Sequence, residues 1–283
     1  MSVCVFGSLN LDRVVRVAAL PRAGETVAAQ ASFDAPGGKG ANQAVAAARA
    51  GAVTRMFGAV GDDASGAALR DRLQVEGVDV HGVSVVPGAA TGTAFVTVSA
   101  EGENHIVVAA NANASAAAPG PASLASCRVA LAQLETPIAA VTAFFEAAAA
   151  VGAIRLLNAA PAAIEARTLF DAADILILNE IELATFLGED GAVVDPSAAR
   201  RLLGRPGQRA VVTLGVRGAA MIDAFSAIHV EARHVAEVVD TTGAGDAFCG
   251  TLAAMIAEEA DWHVILTAAN AAAAACVQRG GAI

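Results

Sequence analysis

Short runs of β-branched and other apolar residues recur along this chain. Longer alanine-rich stretches follow them, with apolar positions returning every three or four residues. The runs Val3 to Phe6, Arg55 to Val60, Arg128 to Leu134, Ile154 to Leu157, Asp174 to Leu178 and Ala210 to Leu214 predict strands. The stretches Lys39 to Ala50, Ala64 to Glu76, Pro137 to Val151, Asp246 to Glu258 and Asp261 to Val277 predict helices. Leu69 and Leu73 lie one turn apart in the second of these, and Pro137 opens the third. Buried strands alternating with helices imply an α/β chain, its mainly parallel sheet covered on both faces.

Two stretches break this rhythm. Arg13 to Val17 and Val27 to Phe33 read as extended pieces. Thr93 to Val98 and His105 to Val108 flank the turn chemistry of Glu101-Gly102-Glu103-Asn104 and read as a hairpin. These pieces fit poorly in the main sheet. They predict a small separate sheet, built from insertions at about 12–34 and 90–110, that serves as a lid over a pocket.

Composition narrows the picture. With 283 residues the chain suits two average domains or one large α/β domain carrying an insertion. At 55% hydrophobic and 16% charged it is too apolar for a disordered chain. A formal net charge of −10 argues against nucleic-acid binding, which needs Lys and Arg on phosphate. Cys4, Cys127, Cys249 and Cys276 are too far apart for a CxxC zinc or redox motif. The start of the chain lacks a secretory pattern, so reduced thiols and a cytoplasmic location are expected. The apolar stretch Ala268 to Val277 is too short to span a membrane and contains Asn270.

Three segments carry candidate chemistry. Val238-Val239-Asp240-Thr241-Thr242-Gly243-Ala244-Gly245-Asp246-Ala247-Phe248 runs from an apolar strand through a Gly-rich turn into a helix. Glycines there let backbone N–H groups turn inward, and the helix adds its positive end, which makes an anion hole suited to a transferring phosphoryl group. Asp246 at its mouth would accept a proton from a substrate hydroxyl. A helix N-cap also explains Asp246, but not the glycines and threonines beside it. Pro36-Gly37-Gly38-Lys39-Gly40-Ala41-Asn42-Gln43-Ala44 is a second loop entering a helix. Lys39 and Asn42 share a helix face suited to hydroxyl recognition, and Gly37 and Gly38 would let a ligand approach the backbone. A plain Gly-rich helix start fits that segment equally well. In Gly7-Ser8-Leu9-Asn10-Leu11-Asp12, Asn10 and Asp12 point the same way on an extended chain and could grip vicinal hydroxyls beyond a strand's carboxyl end. An Asx-type turn fits as well.

Absent patterns matter too. The sequence has no GxxxxGK[ST], no GxGxxG after the first strand, no GxSxG and no HExxH. Walker-type nucleotide binding and the dinucleotide fingerprint of an NAD-dependent oxidoreductase are therefore missing. His229 and His234 have ligand-like spacing but no third partner nearby in sequence.

Taken together, the segments resemble the ribokinase, or pfkB-type, carbohydrate kinase family over nearly the whole chain. Gly37 to Ala44 looks like its N-terminal signature, and Asp240 to Phe248 looks like its C-terminal one. Smaller pieces agree: Pro21 to Thr26, Gly61-Asp62-Asp63, Ala132 to Pro137, Asn179 to Glu182 and Thr213 to Gly218. Within the family, Gly102 to Asn104, Ala110 to Asn113 and Gln133 to Pro137 look most like its ribose-phosphorylating members.

The resemblance implies a three-layer α/β/α sandwich with a small β lid, as one domain over 1–283. It implies transfer of the ATP γ-phosphoryl group to the 5-hydroxyl of D-ribose. Alternatives are another sugar or nucleoside (fructose, 2-keto-3-deoxygluconate, adenosine, pseudouridine), or a sugar-binding regulator on a kinase scaffold. Asp246 would be the general base, and Gly243, Ala244 and Gly245 the anion hole. Asn10, Asp12, Gly38, Lys39, Asn42 and Glu135 would hold the sugar. Asn179 and Glu182 would tune phosphate and Mg²⁺ (or another divalent cation). Thr213, Gly215, Gly218 and Gly245 would follow the nucleotide, with Asn270 near the adenine. Without tyrosine and with Trp262 alone, aliphatic contacts would have to hold that base. Asp240 and Thr242, with backbone oxygens from Cys276, Arg279 and Gly281, would form a K⁺ site. Family members usually continue beyond Gly280-Gly281-Ala282-Ile283 through a Ser/Pro segment that completes that site, so fewer K⁺ ligands are expected here. The lid is often a dimer interface in the family, so a homodimer is expected.

Overall fold

The structure is a computed structural model, and it describes residues 2–189, 191, 193–279 and 281. The elements in chain order are β1 (Ser2–Phe6), β2 (Asn10–Arg16), β3 (Ala31–Gly37), α1 (Lys39–Arg49), β4 (Val53–Gly61), α2 (Ala64–Val75) and β5 (Val78–Val86). Then come β6 (Gly92–Val98), β7 (Asn104–Ala109), β8 (Val129–Ala132), α3 (Ile138–Ala150), β9 (Ile154–Asn158), β10 (Ile175–Asn179) and α4 (Glu180–Leu187). The last are β11 (Arg209–Thr213), β12 (Ala219–Ile222), β13 (Ala227–Val230), α5 (Ala244–Ala257) and α6 (Trp262–Cys276).

Nine strands form one sheet in the order β13-β12-β11-β10-β9-β8-β1-β4-β5. All pairs from β11 to β5 are parallel, and β12 and β13 run antiparallel at the edge. Strand alternation sends side chains to two separate cores. Cys4 and Phe6 of β1 pack with Phe144 and Phe145 of α3 and Phe186 of α4. Val3 and Val5 face the opposite layer, with Val45 of α1, Leu69 and Leu73 of α2, Leu252 of α5 and Leu266 of α6. The two covered faces predicted from the pattern, and the sandwich implied by the resemblance, are present.

The chain leaves β1 toward β4 on one side and later fills β8 on the other. The strand order therefore reverses beside β1, and a crevice opens beyond the carboxyl ends of β1 and β8. A second sheet, in the order β3-β2-β6-β7, stands over this end. It holds the extended pieces and the hairpin expected of a lid. Its third segment runs Ala31–Gly37, later than the expected Val27 to Phe33. This shift joins β3 to α1 through Gly38 alone, so lid and α1 are coupled at one residue.

Four elements were not anticipated. β5 and β13 lie at the two edges of the sheet, with one face exposed, so they lack a continuous apolar run. β12 is only four residues long, and α4 only eight. The expected helix at Asp246 begins earlier, at Ala244, with Gly243 as N-cap in a left-handed conformation (φ 79°). Asp246 is thus inside the first turn and is not the cap.

Candidate active site

The first-strand loop, the start of α1 and the segment after β8 lock together. Gly38 caps α1 at φ 92°, and a Cβ there would lie 2.7 Å from the Asn10 backbone nitrogen. Only glycine meets both conditions. The glycine itself offers no side-chain cap, and Glu135 supplies one from across the switch: its Oε2 accepts the Lys39 N–H at 3.2 Å and the Ser8 hydroxyl at 2.5 Å. Glu135, expected to hold sugar, therefore also seats the N-terminus of α1, where a negative charge is favoured.

Asn10 and Asp12 lie on one face of β2. Asn10 is buried, and its Oδ1 accepts from Asn113 Nδ2 at 2.8 Å. Asn113 also clamps the Leu9 backbone, accepting from its N–H at 3.0 Å and donating to its carbonyl at 3.2 Å. Asp12 lies over Gly37, where a Cβ would sit 2.2 Å from its Oδ2. The close approach expected of a ligand at Gly37 is thus made by a carboxylate of the chain. Burial raises the Asp12 carboxyl to a pKa of about 7, and the charges of Glu135 and Asp246 push the same way.

Asp246 is 7% exposed. Asn42 Nδ2 donates to its Oδ2 at 2.9 Å and Gln43 Nε2 to its Oδ1 at 2.8 Å. Asn42, expected to hold sugar, thus spends its amide nitrogen on the carboxylate, while its buried Oδ1 has no protein partner. Asn42 lines a groove of about 210 Å³ between α1, α5 and α6, together with Arg49 and Arg279.

On the other side of Asp246, a cavity of about 140 Å³ is lined by Lys39, Asn179, Glu182, Thr213, Gly243 and Gly245, with Asn158 and Cys249 behind. It touches the ends of β10 and β11 and the N-termini of α4 and α5, where first-turn N–H groups lack intrahelical partners. Ala244 is not on its wall and donates its N–H to the Thr241 carbonyl at 3.3 Å, so Gly243 and Gly245 are the anion-hole candidates that face it. Burial tends to discharge Lys39, but Asp246, Glu135 and Glu182 outweigh it and hold the ammonium above its usual range. Burial raises the Glu182 carboxyl, opposed by the Asn179 N–H and by Lys39. Asn179 and Glu182 form a reciprocal capping box at α4, with both bonds at 2.8 Å. One oxygen of each is thus occupied structurally.

Several expected nucleotide residues lie off this cavity. Gly215 and Gly218 bracket a short turn after β11, where a Cβ on Gly218 would overlap the Val230 carbonyl oxygen at 2.0 Å. Asn270 gives its amide nitrogen to the Val230 and Glu231 carbonyls at 3.1 and 3.2 Å, tying α6 to the strand edge. The expected monovalent-cation residues do come together. Asp240 accepts the Thr242 N–H at 2.8 Å and the Gly281 N–H at 3.2 Å, and Cys276 Sγ donates to the Thr242 carbonyl at 3.5 Å. Burial raises the Asp240 carboxyl, but the hydrogen bonds from Thr242 and Gly281 more than offset it and hold the pKa low. Arg279 turns its Nε back to the Ala275 carbonyl at 3.3 Å. Gly280, between two of the expected donors, lies outside the described residues.

The family model for pfkB family carbohydrate kinases matches residues 1–283. The chain belongs to the pfkB family of carbohydrate kinases. Among curated pfkB kinases, it is 36% identical to ribokinase of Mus musculus, with 99% of this chain and 90% of that protein covered. It is 32% identical to ribokinase of Haemophilus influenzae, with 99% and 94% covered. The structure of Arabidopsis thaliana ribokinase complexed with ribose and ATP superposes with a TM-score of 0.87 at 31% identity, covering 99% of this chain and 93% of that one.

Sequence reasoning quoted Ser8, Gln43, Asn113 and Gln133 inside motifs and gave them no role. Their side-chain partners lie 90 to 203 residues away, except for the Ser8–Gly40 contact. Asn158 lay outside every motif. Among the described residues no helix is long and apolar enough to cross a membrane, and all four cysteines are free and buried.

Proposed function

We propose that this pfkB kinase transfers the γ-phosphoryl group of ATP to the 5-hydroxyl of D-ribose, with Asp246 as general base. The observation that carries this reading is the seating of Asp246: a buried carboxylate at the N-terminus of α5, with the sugar-motif residues on one side and the 140 Å³ cavity on the other. Each of its oxygens accepts one amide hydrogen bond, which leaves lone-pair capacity for a substrate proton. Asn10, Asp12, Lys39 and the free Oδ1 of Asn42 would grip the sugar hydroxyls, with Glu135 holding the loop that carries them. As the hydroxyl attacks, Asp246 takes its proton. The N–H groups of Gly243 and Gly245 and the Lys39 ammonium face the charge that develops on the transferring group. The two-strand insertions of the lid would close over the sugar and keep water from the phosphoryl group.

Among the described residues no three His, Cys, Asp or Glu side chains form a metal cage. Glu182 beside a phosphate-sized cavity suits Mg²⁺ carried mainly by the nucleotide, which usually binds through one or two carboxylates plus phosphates. When bound, Mg²⁺ would neutralise phosphate charge. The Asp240 carboxylate, the Thr242 carbonyl and the backbone carbonyls of Cys276, Arg279 and Gly281 are oxygen donors that would suit K⁺; the Cys276 thiol is not such a donor. Exposed apolar side chains on both faces of the lid, including Phe33 and Ile106 on one and Phe95 and Val107 on the other, support a homodimer through this sheet. A cytoplasmic location is part of the proposal, since four free, buried thiols suit a reducing compartment.

The test is ATP consumption with Mg²⁺ over ribose, deoxyribose, fructose, 2-keto-3-deoxygluconate, adenosine and pseudouridine, each in K⁺ and in Na⁺. Turnover on ribose above the others, raised by K⁺, is expected. Turnover only on another acceptor would replace ribose. Sugar binding with no turnover on any acceptor would favour a sugar-binding regulator.

A further inference from the structure

Behind Asp246 lies a buried chain of amides that the reaction as described does not use. Gln43 and Gln133 are both 0% exposed. Gln133 Nε2 donates to Gln43 Oε1 at 2.6 Å, and Gln43 Nε2 donates to Asp246 Oδ1 at 2.8 Å and to Asn158 Oδ1 at 3.0 Å. The three side chains come from α1, the segment after β8 and α5, which meet at the sheet's switch point. Both N–H groups and the carbonyl of Gln43 are spoken for, so its rotamer is held on three sides.

The direction of this chain follows from chemistry. An ionised carboxylate only accepts hydrogen bonds. Gln43 must therefore turn its NH₂ to Asp246 and its carbonyl to Gln133, and Gln133 must answer with its own NH₂. The Gln133 carbonyl is then left over, and it is one of the few buried side-chain atoms among the described residues with no partner. It occupies space that exists only because residue 7 is glycine: a Cβ on Gly7 would lie 1.9 Å from it. An unpaired buried acceptor is costly. Its presence at the far end of a chain whose near end is the base shows which end sets the polarity. Lys39 lies near enough to Asp246 for the two charges to interact. A carboxylate released from Gln43 could swing to the ammonium, away from the hydroxyl it must deprotonate.

We propose that Gln133 and Gln43 form a directional amide relay that fixes the rotamer of the Asp246 carboxylate toward the sugar hydroxyl. This rests on Asp246 being the base of the proposed kinase. Gln133 is a positioning residue: it acts through Gln43 and touches neither substrate.

The test compares wild type, Gln43→Met, Gln133→Met, the double variant and Gln133→Glu in the ribose assay, with thermal unfolding followed for each. Methionine keeps the volume and removes the donor. Gln43→Met is expected to lower kcat by about tenfold to a hundredfold, in the range a misplaced catalytic group costs, with little change in KM for ribose. Gln133→Met is expected to lower kcat by about threefold to tenfold, the worth of one hydrogen bond. The double variant should match Gln43→Met, because the second loss acts through the first. Gln133→Glu gives a readout that survives poor folding of the methionine variants. A neutral carboxylic acid there can still donate to Gln43, but its ionised form can only accept and would reverse the relay. Its kcat should therefore fall with rising pH relative to wild type. Additive losses in the double variant, a rise in KM at constant kcat, or a Gln133→Glu pH profile parallel to wild type would each overturn the relay. They would leave the kinase reading intact if wild type turns over ribose. A wild type that consumes no ATP with any acceptor overturns both.

Discussion

Asp12 carries a measurable cost of burial in the folded chain. Its carboxyl lies on β2 over Gly37, partly buried, and faces Glu135 and Asp246. Those surroundings raise it from an ordinary 3.8 to about 7. At 1.36 kcal/mol per pH unit that is about 4 kcal/mol between its neutral and charged forms, or about 2–4 kcal/mol after allowing for water at the partly buried group. The sign follows from proton counting. In the unfolded chain Asp12 ionises near pH 4, but in the folded one it keeps its proton until about pH 7. The folded state holds more protons across that window, so stability falls as pH rises through it. Below about pH 4 the penalty is absent, and above about pH 7 it is complete. Asp12→Asn keeps the shape and removes the charge. Urea unfolding of wild type and variant without sugar, at several pH values from 4.5 to 8.5, measures the difference; titrating groups other than the coupled Glu135 and Asp246 cancel. The variant should be more stable by only about a quarter of the full penalty at pH 4.5 and by about 2–4 kcal/mol at pH 8.5, while binding ribose much more weakly. A stability difference that does not change with pH would refute the reasoning.

Gly38→Ala forces φ 92° on a Cβ that meets the Asn10 backbone; a loss of about 1–3 kcal/mol is expected in urea unfolding, with weaker sugar binding. Asn113→Ala frees the Leu9 backbone and Asn10, and should raise KM for ribose while kcat changes little, which steady-state kinetics resolves. Charging both lid faces with Ile106→Asp and Val107→Asp together should turn the expected dimer into a monomer in light scattering.

How much of this was legible beforehand depends on whether a feature is local. The strand and helix alternation, the lid and the two Gly-rich loops are each written within a short window, so pattern and turn chemistry revealed them. Edge strands such as β5 were missed because polar Asp79, His81 and Ser84 interrupt the apolar run on the strand's outer faces. The proposed base, Asp246, was legible from its place at a helix start after glycines. Its supports were not, since Asn42 and Gln43 reach it from 204 and 203 residues away. Separations of 96 and 40 residues likewise hid the contact of Glu135 with α1 and the tie made by Asn270. Motif resemblance assigns such residues to ligands; only the folded chain reveals that some of their donors already serve the protein.

The central claim is that Asp246 activates a sugar hydroxyl for phosphoryl transfer. The most direct measurement sets wild type beside Asp246→Asn with ribose and Mg·ATP and identifies the product by phosphorus NMR. Asparagine at 246 cannot take a proton, and it would turn an NH₂ toward the donor of either Asn42 or Gln43. The account predicts ribose 5-phosphate from wild type and a kcat lower by about 10²–10⁴ in the variant, with both proteins folded. A variant within tenfold of wild type, or a wild-type product phosphorylated elsewhere on the sugar, would contradict it.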